Sequence, residues 1–135
     1  MFNMSTAVRN ARATVLITAL DAAATAGEIR IYSGTKPAAG AALAGNTLLG
    51  TLALSDPSGV VANGVITFAT VSDDTSADAD GTITWARFVD GDGNFVADCD
   101  CGVAGSNAAL IFNAVTVTTG GVIRITSGTG TEGNA

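Results

Sequence analysis

The chain has 135 residues, a length that fits one domain with a hydrophobic core of its own. Twelve acidic residues against six basic ones give a net charge of −6, which disfavours nucleic acid as a partner because phosphate neutralisation needs a basic patch. The sequence has no histidine, which removes the commonest general base and zinc ligand, and it has no apolar run long enough to span a membrane.

Residues 5–24 are predicted to form a helix. Ser5 or Thr6 suits its N-cap, and Gly27 suits its end. Arg9 and Arg12 lie near the positive end of the helix dipole, so either packing outweighs this mild penalty or the two side chains meet an acidic partner. The apolar residues that recur at helical spacing are Val8, Ala11, Val15, Leu16, Ala19 and Leu20.

Short apolar or alternating runs follow between residues 28 and 126, separated by turn signals rich in Gly, Asn and Asp. Their number, seven or eight, and their regular spacing predict a mainly β fold, an antiparallel β-sandwich or jelly roll with one N-terminal helix. We therefore expect one domain over residues 1–135, with the sandwich at 28–126. The Gly- and Thr-rich residues 127–135 are predicted to be a flexible tail.

Residues 81–101 are predicted to form the central hairpin of the sandwich, because two strand-like runs flank the turn signal at residues 90–93. The alternation breaks at Arg87 and Phe88, which predicts a bulge or a strand covered on both faces. Strand geometry otherwise predicts that Ile83 and Trp85 point the same way. The same strand geometry places four residues of the return strand on one face: Phe95, Ala97, Cys99 and Cys101.

The turn between these strands also has the acid spacing of a calcium loop. Its sixth and twelfth positions hold Phe95 and Cys101 instead of the Gly and Glu of an EF-hand, and a tight hairpin turn explains the same residues. A cation could still bind if the acidic loop before the hairpin lay near its turn; the alternative is a solvated rim. The aspartates concerned are Asp73, Asp74, Asp78, Asp80, Asp90, Asp92, Asp98 and Asp100.

Cys99 and Cys101 lie two residues apart on one strand, about 7 Å between Cα atoms, which is too far for a relaxed disulfide. A zinc site would need further ligands from aspartates or another subunit, so we expect buried, reduced thiols. No histidine or activated cysteine accompanies the Ser, Thr and Asp residues, and no carboxylate pair stands apart from the rest. We expect no enzyme: no catalytic residues, no cofactor and no metal.

Three segments (48–57, 76–90 and 115–127), together with residues 7–10 and 31–37, resemble a group of small proteins encoded in the head-assembly region of tailed phages and prophages. The resemblance covers nearly the whole chain and rests on turns and core positions; the cysteine pair is not part of it. It implies a virion component, a capsid decoration or cement protein. Such a protein is made in the host cytoplasm, binds the major capsid protein and lies on the capsid surface.

In that role the predicted adhesive residues are Phe2, Met4, Arg9 and Arg12, although apolar residues ahead of a cap also staple helices. A homo-oligomer or self-association on the particle is expected, with no nucleic acid and no membrane as partner. The first ten residues lack the pattern of a signal peptide. The competing interpretations are a tail, collar or fibre subunit of a phage, and a carbohydrate- or calcium-binding β-domain.

Overall fold

The computed structural model describes residues 2–132, and within them the chain forms one helix and ten strands. The helix, α1 (Thr6–Leu20), precedes all the strands. The strands are β1 (Glu28–Tyr32), β2 (Leu48–Ala53), β3 (Gly59–Ala62), β4 (Val65–Phe68), β5 (Gly81–Thr82), β6 (Trp85–Val89), β7 (Phe95–Val103), β8 (Leu110–Phe112), β9 (Thr116–Val117) and β10 (Ile125–Thr131).

Eight of these strands form one curled sheet in the order β2-β1-β6-β7-β8-β10-β4-β3, and β5 pairs with β9 in a small second sheet. The predicted mainly β, sandwich-like fold with an N-terminal helix is confirmed. One pair departs from the antiparallel prediction: β7 and β8 run parallel, with Cys101 opposite Leu110 and Val103 opposite Phe112. The parallel pair arises because the chain doubles back through residues 104–109 before entering β8.

The main hydrophobic core lies inside the curl of the large sheet. It includes the alternating inward residues of the predicted β1 strand, Ile29 and Ile31, and two buried aromatic rings, Phe88 and Phe112. A smaller cluster of Ala13, Ile17 and Ile66 joins α1 to β4. Burial of such aliphatic side chains contributes about 1.5–3 kcal/mol each, so these two clusters fix the helix onto the sheet.

The helix is shorter than predicted. Ser5 is the N-cap, as expected, and its hydroxyl accepts a hydrogen bond from the Val8 N–H. The helix ends at Leu20 instead of residue 24, because Asp21 forms the C-cap and its carboxylate accepts hydrogen bonds from the Ser58 N–H at 3.0 and 3.2 Å. The contact with Ser58 ties the end of the helix to the start of β3.

The buried face of α1 also differs from the periodicity noted in the sequence. Ala13, Ile17 and Leu20 are buried, while Val8 and Val15 are exposed. Apolar residues occupy two interleaved helical stripes in this alanine-rich segment, and only the stripe with the large Ile17 and Leu20 side chains fills the core. The other stripe is left facing solvent.

The predicted flexible tail is wrong for most of its described length. Residues 127–131 belong to β10, which pairs with β8 through Ile125–Gly128 and with β4 through Thr129–Thr131. The strand is therefore the connection between the two halves of the large sheet. Residues 133–135 of the predicted tail lie outside the described residues.

The central hairpin is confirmed as β6 and β7, with Arg87 opposite Asp98. The predicted irregularity exists: β6 is buried on both faces, and the register shifts next to Phe88 so that Val96 has no partner. Because of this extra residue, Phe95 does not share the face of Ala97, Cys99 and Cys101, which pack on the core; it lies on the side of Arg87 instead.

Trp85 also departs from the predicted face. Ile83 joins the main core, and its N–H donates to the Val115 carbonyl, whereas Trp85 starts β6 and stacks on Tyr32 with ring centroids 4.6 Å apart. The chain changes sheet between β5 and β6, which resets the alternation between these two residues. Trp85 is nevertheless almost fully buried, outside the main cluster.

Candidate partner-binding surface

Three of the four predicted adhesive residues meet at the N-terminal end of α1. The Arg12 guanidinium forms an ion pair with the Glu132 carboxylate at 2.7 Å and donates a hydrogen bond to the Met4 sulfur at 3.1 Å. The Arg9 Nε donates to the Glu132 carbonyl at 2.9 Å. These residues and Phe2 form what we call the N-terminal patch: Phe2, Met4, Arg9, Arg12 and Glu132.

Phe2 projects from this patch, with 83% of the residue exposed. The helix start is fixed from the opposite terminus, because Arg9 and Arg12 both bind Glu132 at the end of β10. The two arginines therefore have an intramolecular role that the sequence did not indicate. Arg12 remains open to a partner, since 56% of its side chain is exposed.

The exposed stripe of α1 continues the apolar character of the patch along the helix. Val15 is 67% exposed and Val8 is also exposed. Within α1, the charged residues are Arg9 and Arg12, both in its N-terminal half, so the stripe beyond them carries no charge. An exposed helix face without charge is unusual for a surface helix.

The N-terminal patch is basic within an acidic molecule. It holds two of the six basic residues and one of the twelve acidic ones, so four basic and eleven acidic residues remain elsewhere. Three of those four cations form ion pairs of their own: Arg30 with Glu28, Arg87 with Asp98, and Arg124 with Asp73.

The aspartate carboxylates mainly accept hydrogen bonds from loop residues. Asp74 accepts hydrogen bonds from the N–H groups of Thr51 and Ser76, and Asp80 accepts from both the N–H and the hydroxyl of Thr119. These bonds, with the backbone bond from Thr119 the strongest influence, lower the pKa of Asp80. Within residues 2–132, no group of three or more His, Cys, Asp or Glu side chains is arranged to hold a metal ion.

The turn at residues 90–93 is held by the first of its acids. One Asp90 carboxylate oxygen accepts from the N–H groups of Asp92 and Asn94, and the other accepts from the Asn94 side-chain amide at 2.9 Å. The Asn94 amide is the main cause of a lowered Asp90 pKa. The acid spacing that resembled a calcium loop is explained by this hydrogen-bonded turn, as the sequence favoured.

The two cysteines are free and half-buried, and both pack against the main core. Hydrogen bonding with the Cys99 thiol, followed by burial, raises the pKa of the Cys101 thiol far above its usual value. A reactive cysteine needs the opposite shift, toward the thiolate. The two cysteines are therefore free thiols that pack on the core, as the sequence predicted, although they are only half-buried.

Arg87 lies at the centre of a layer on the outer face of the hairpin. Its guanidinium forms two hydrogen bonds with Asp98 at 2.8 and 3.0 Å and lies 5.4 Å from the Trp85 ring centroid and 5.2 Å from that of Phe95. It also donates to the Ala41 carbonyl, while the Gly40 N–H donates to Asp98. This layer therefore holds the long loop between β1 and β2 against the sheet.

A cleft of about 360 Å³ opens where β10 changes partner. β10 pairs with β4 only over Thr129–Thr131, and β4 ends at Phe68. The residues before Thr129 in β10 and the residues after Phe68 are not paired, and the two segments diverge there. The residues that line the cleft are uncharged, and several of them carry hydroxyl groups. It is lined by Ile29, Phe68, Ala69, Thr70, Val71, Leu110, Ile125, Thr126, Ser127 and Gly128.

The sequence indicated the first four members of the N-terminal patch but neither Glu132 nor the cleft. Glu132 is 123 residues from Arg9, and no local pattern reports a contact over that separation. Among the described residues, no helix combines the length and apolar character needed to cross a membrane. The chain matches no protein-family model, no curated protein and no solved structure.

Proposed function

We propose that this chain is a structural virion protein that decorates the assembled head of a tailed phage and stabilises it. The N-terminal patch carries the proposal: it combines a highly exposed phenylalanine with two arginines, all within the first twelve residues of an otherwise acidic chain. Phenylalanine, methionine and arginine are among the residue types enriched at protein–protein interfaces. The resemblance of the segments 48–57, 76–90 and 115–127 to phage head-region proteins names the partner, the major capsid protein.

Binding to an assembled shell suits a protein of this construction. A protein that binds only the assembled state stabilises it by mass action, and many copies on one shell multiply the effect. The required parts are a surface that adheres and a core that holds its shape. The N-terminal patch supplies the first, and the large sheet, whose two parts are joined by β10, supplies the second.

The proposal is tested first on whole virions. Virions made with and without the gene are compared by electron cryomicroscopy, and we expect additional density on the head surface only when the protein is present. Particles without it should lose DNA at a lower temperature and after milder osmotic shock. Adding the purified protein back should restore both properties.

Two results would contradict the proposal. Density confined to the tail, collar or fibres would assign the protein to another part of the virion. Equal resistance of complete and deficient particles to heat and osmotic shock would exclude a stabilising role even if the protein lay on the head.

A further inference from the structure

We propose that Asn63 is a site of spontaneous deamidation, and that the Asn10 side chain controls the rate of this reaction by holding the backbone N–H of Gly64. The inference does not depend on what the protein binds, since it concerns the chemistry of the chain itself. Two observations carry it: the sequence Asn63-Gly64 in the turn between β3 and β4, and a hydrogen bond from the Gly64 N–H to Asn10 Oδ1.

Deamidation of an asparagine uses the backbone nitrogen of the next residue as the nucleophile. The Gly64 nitrogen attacks the side-chain carbonyl carbon of Asn63 and forms a C–N bond, while the bond from that carbon to the amide nitrogen breaks. The amide nitrogen leaves as ammonia and carries away the proton of the Gly64 N–H. Water then opens the resulting succinimide ring at either of its two carbonyls, which gives aspartate or isoaspartate at position 63.

Asn63 is the one asparagine, among the eight in the sequence, that is followed by glycine. Glycine has no Cβ beside the attacking nitrogen, so ring closure meets less steric hindrance than at the other seven asparagines, which precede residues with side chains. Asn63 is also exposed, so water reaches the ring and solvates the product carboxylate. The sequence and the exposure therefore single out the same residue.

The attacking nitrogen is hydrogen-bonded in the folded chain. The Gly64 N–H donates to Asn10 Oδ1 at 2.6 Å, and the Gly64 carbonyl accepts from the Glu132 N–H at 2.8 Å. Gly64 is buried, and the Arg9 guanidinium lies where a Cβ would project from it. The nitrogen therefore reaches the Asn63 carbonyl carbon only after the turn has opened locally.

Asn10 is the member of this set that binds the nitrogen itself. Its side chain reaches the turn from α1, 53 residues before Asn63 in the sequence. Without its oxygen, a buried N–H is left without a partner, and this cost favours the opened turn. The rate of deamidation therefore depends on how firmly the N-terminal half of α1 holds the turn.

The reaction also changes the contacts that support the N-terminal patch. Isoaspartate carries the main chain through the side-chain carbon and adds one atom to the backbone, which disrupts a two-residue turn with positive φ at both residues. Gly64 then moves away from the N–H of Glu132, the residue that binds both Arg9 and Arg12. Modification at Asn63 therefore loosens the helix start from the end of β10.

The experiment follows deamidation of the purified full chain at mildly alkaline pH. Mass spectrometry of proteolytic peptides assigns the mass increase to individual asparagines, and chromatography separates the aspartate and isoaspartate forms of each peptide. In the urea-unfolded chain we expect Asn63 to react faster than any other asparagine. In the folded chain it should react more slowly than in urea, because the turn is closed.

Two substitutions of Asn10 test its control of the rate. Asn10→Ala removes the acceptor, and we expect the rate at Asn63 in the folded chain to rise about 10-fold. A factor of ten corresponds to about 1.4 kcal/mol, which lies within the cost of leaving a buried N–H without its partner. Asn10→Asp keeps an oxygen that accepts from the Gly64 N–H, so its rate should match that of the wild type. In urea all three chains should react equally fast.

Ile31→Val is the control for a loss of stability that does not involve the turn. Ile31 lies on β1 in the main core, so the shorter side chain weakens the whole fold. It leaves the contacts between Asn10 and Gly64 in place. Its thermal unfolding midpoint should fall, while the rate at Asn63 in the folded chain should stay at the wild-type value.

Three outcomes would overturn the proposal. The first is an unfolded chain in which Asn63 reacts no faster than the other asparagines. The second is an Asn10→Ala variant that reacts at the wild-type rate when folded, which would show that Asn10 does not control the reaction. The third is an acceleration in Ile31→Val or Asn10→Asp as large as that in Asn10→Ala, which would show that the lost acceptor is not its cause.

Discussion

The Asp98 carboxylate is buried, with 1% of its side chain exposed, and it faces the Arg87 guanidinium. Burial raises the pKa of Asp98, but hydrogen bonds from Arg87 and Gly40 and the charges of Arg87 and Lys36 outweigh burial, so the pKa lies below its usual value. A depressed folded-state pKa contributes stability that is present above the unfolded value of about 3.9 and is lost as the pH falls through the lower folded value.

The first prediction concerns this ion pair. Asp98→Asn should lower the free energy of unfolding by about 3 kcal/mol at pH 7, because the Arg87 charge is left buried without its partner. Below about pH 4 the wild type should lose stability more steeply than the variant. Urea unfolding followed by the fluorescence of Trp85, the single tryptophan, measures both quantities.

Asp73→Asn is the matched control. Asp73 pairs with Arg124 at 2.7 Å, but 58% of the arginine side chain is exposed, so solvent screens the interaction and the loss should be much smaller. Equal losses in the two variants, or parallel pH profiles for the wild type and Asp98→Asn, would show that the buried pair does not stabilise the fold as described.

At the scale of the elements, the turn between β3 and β4 supports the N-terminal patch. Asn63 and Gly64 both have positive φ, 54° and 75°, as a two-residue hairpin turn of this kind requires. A Cβ on Gly64 would lie 2.7 Å from the Arg9 guanidinium nitrogens. The turn, the helix and the end of β10 therefore meet at one point.

The second prediction follows from that meeting point. Gly64→Ala should destabilise the fold by roughly 1–2 kcal/mol because of the left-handed backbone. It should also displace Arg9 from the Glu132 carbonyl. Gly105→Ala is the matched control: its φ is 89°, and a Cβ there meets nothing within 4 Å, so it carries the backbone cost alone.

The difference in amide exchange between Gly64→Ala and Gly105→Ala shows whether the added methyl group disturbs the contact between Arg9 and Glu132. We expect amide exchange near Glu132 to accelerate in Gly64→Ala and to stay unchanged in Gly105→Ala. Equal exchange in both would mean that Arg9 adapts to the added methyl group without leaving its partner.

The elements that the sequence predicted well are those with local signals. The Asp90-Gly-Asp-Gly turn and the Ser5 cap each depend on residues within a few positions, and both are present. The face of Phe95 was missed because a bulge at Val96 changes the side-chain alternation and leaves no mark in composition. The exposure of Val8 and Val15 was missed because two apolar stripes compete for one core.

The sequence predicted a last strand at residues 122–126, but the part of β10 beyond residue 126 was missed for a different physical reason. Its Gly and Thr residues have the composition of a mobile tail, yet a Cβ on Gly128 would lie 2.7 Å from the Leu110 side chain. Glycine is present there because the strand packs closely over the core. Composition does not separate close packing from flexibility, so neither the part of β10 beyond residue 126 nor the cleft beside it was predictable.

At the scale of the whole molecule, β10 joins two parts of the sheet. One part is β2-β1-β6-β7-β8 and the other is β4-β3, and β10 is hydrogen-bonded to both. Residues near the chain's two ends also meet, through Arg9, Arg12 and Glu132. The cooperativity of the fold therefore depends on a strand that the sequence gives little hydrophobic character.

The third prediction tests this dependence. A chain that ends at Arg124 should show no cooperative thermal unfolding transition, because β8 and β4 would both present unpaired edges and aggregate. A chain that ends at Glu132 is the control and should unfold like the full chain. A cooperative transition in the shorter chain would show that the two parts hold together without β10.

The position of β10 in the chain has a consequence for biosynthesis. It follows β4 and β8 in the chain yet must insert between them, so the two parts of the sheet cannot join until β10 has been made. Until then, the edges of β8 and β4 are open to chaperones or to other nascent chains. The cleft between β4 and β10 likewise forms only when β10 is in place.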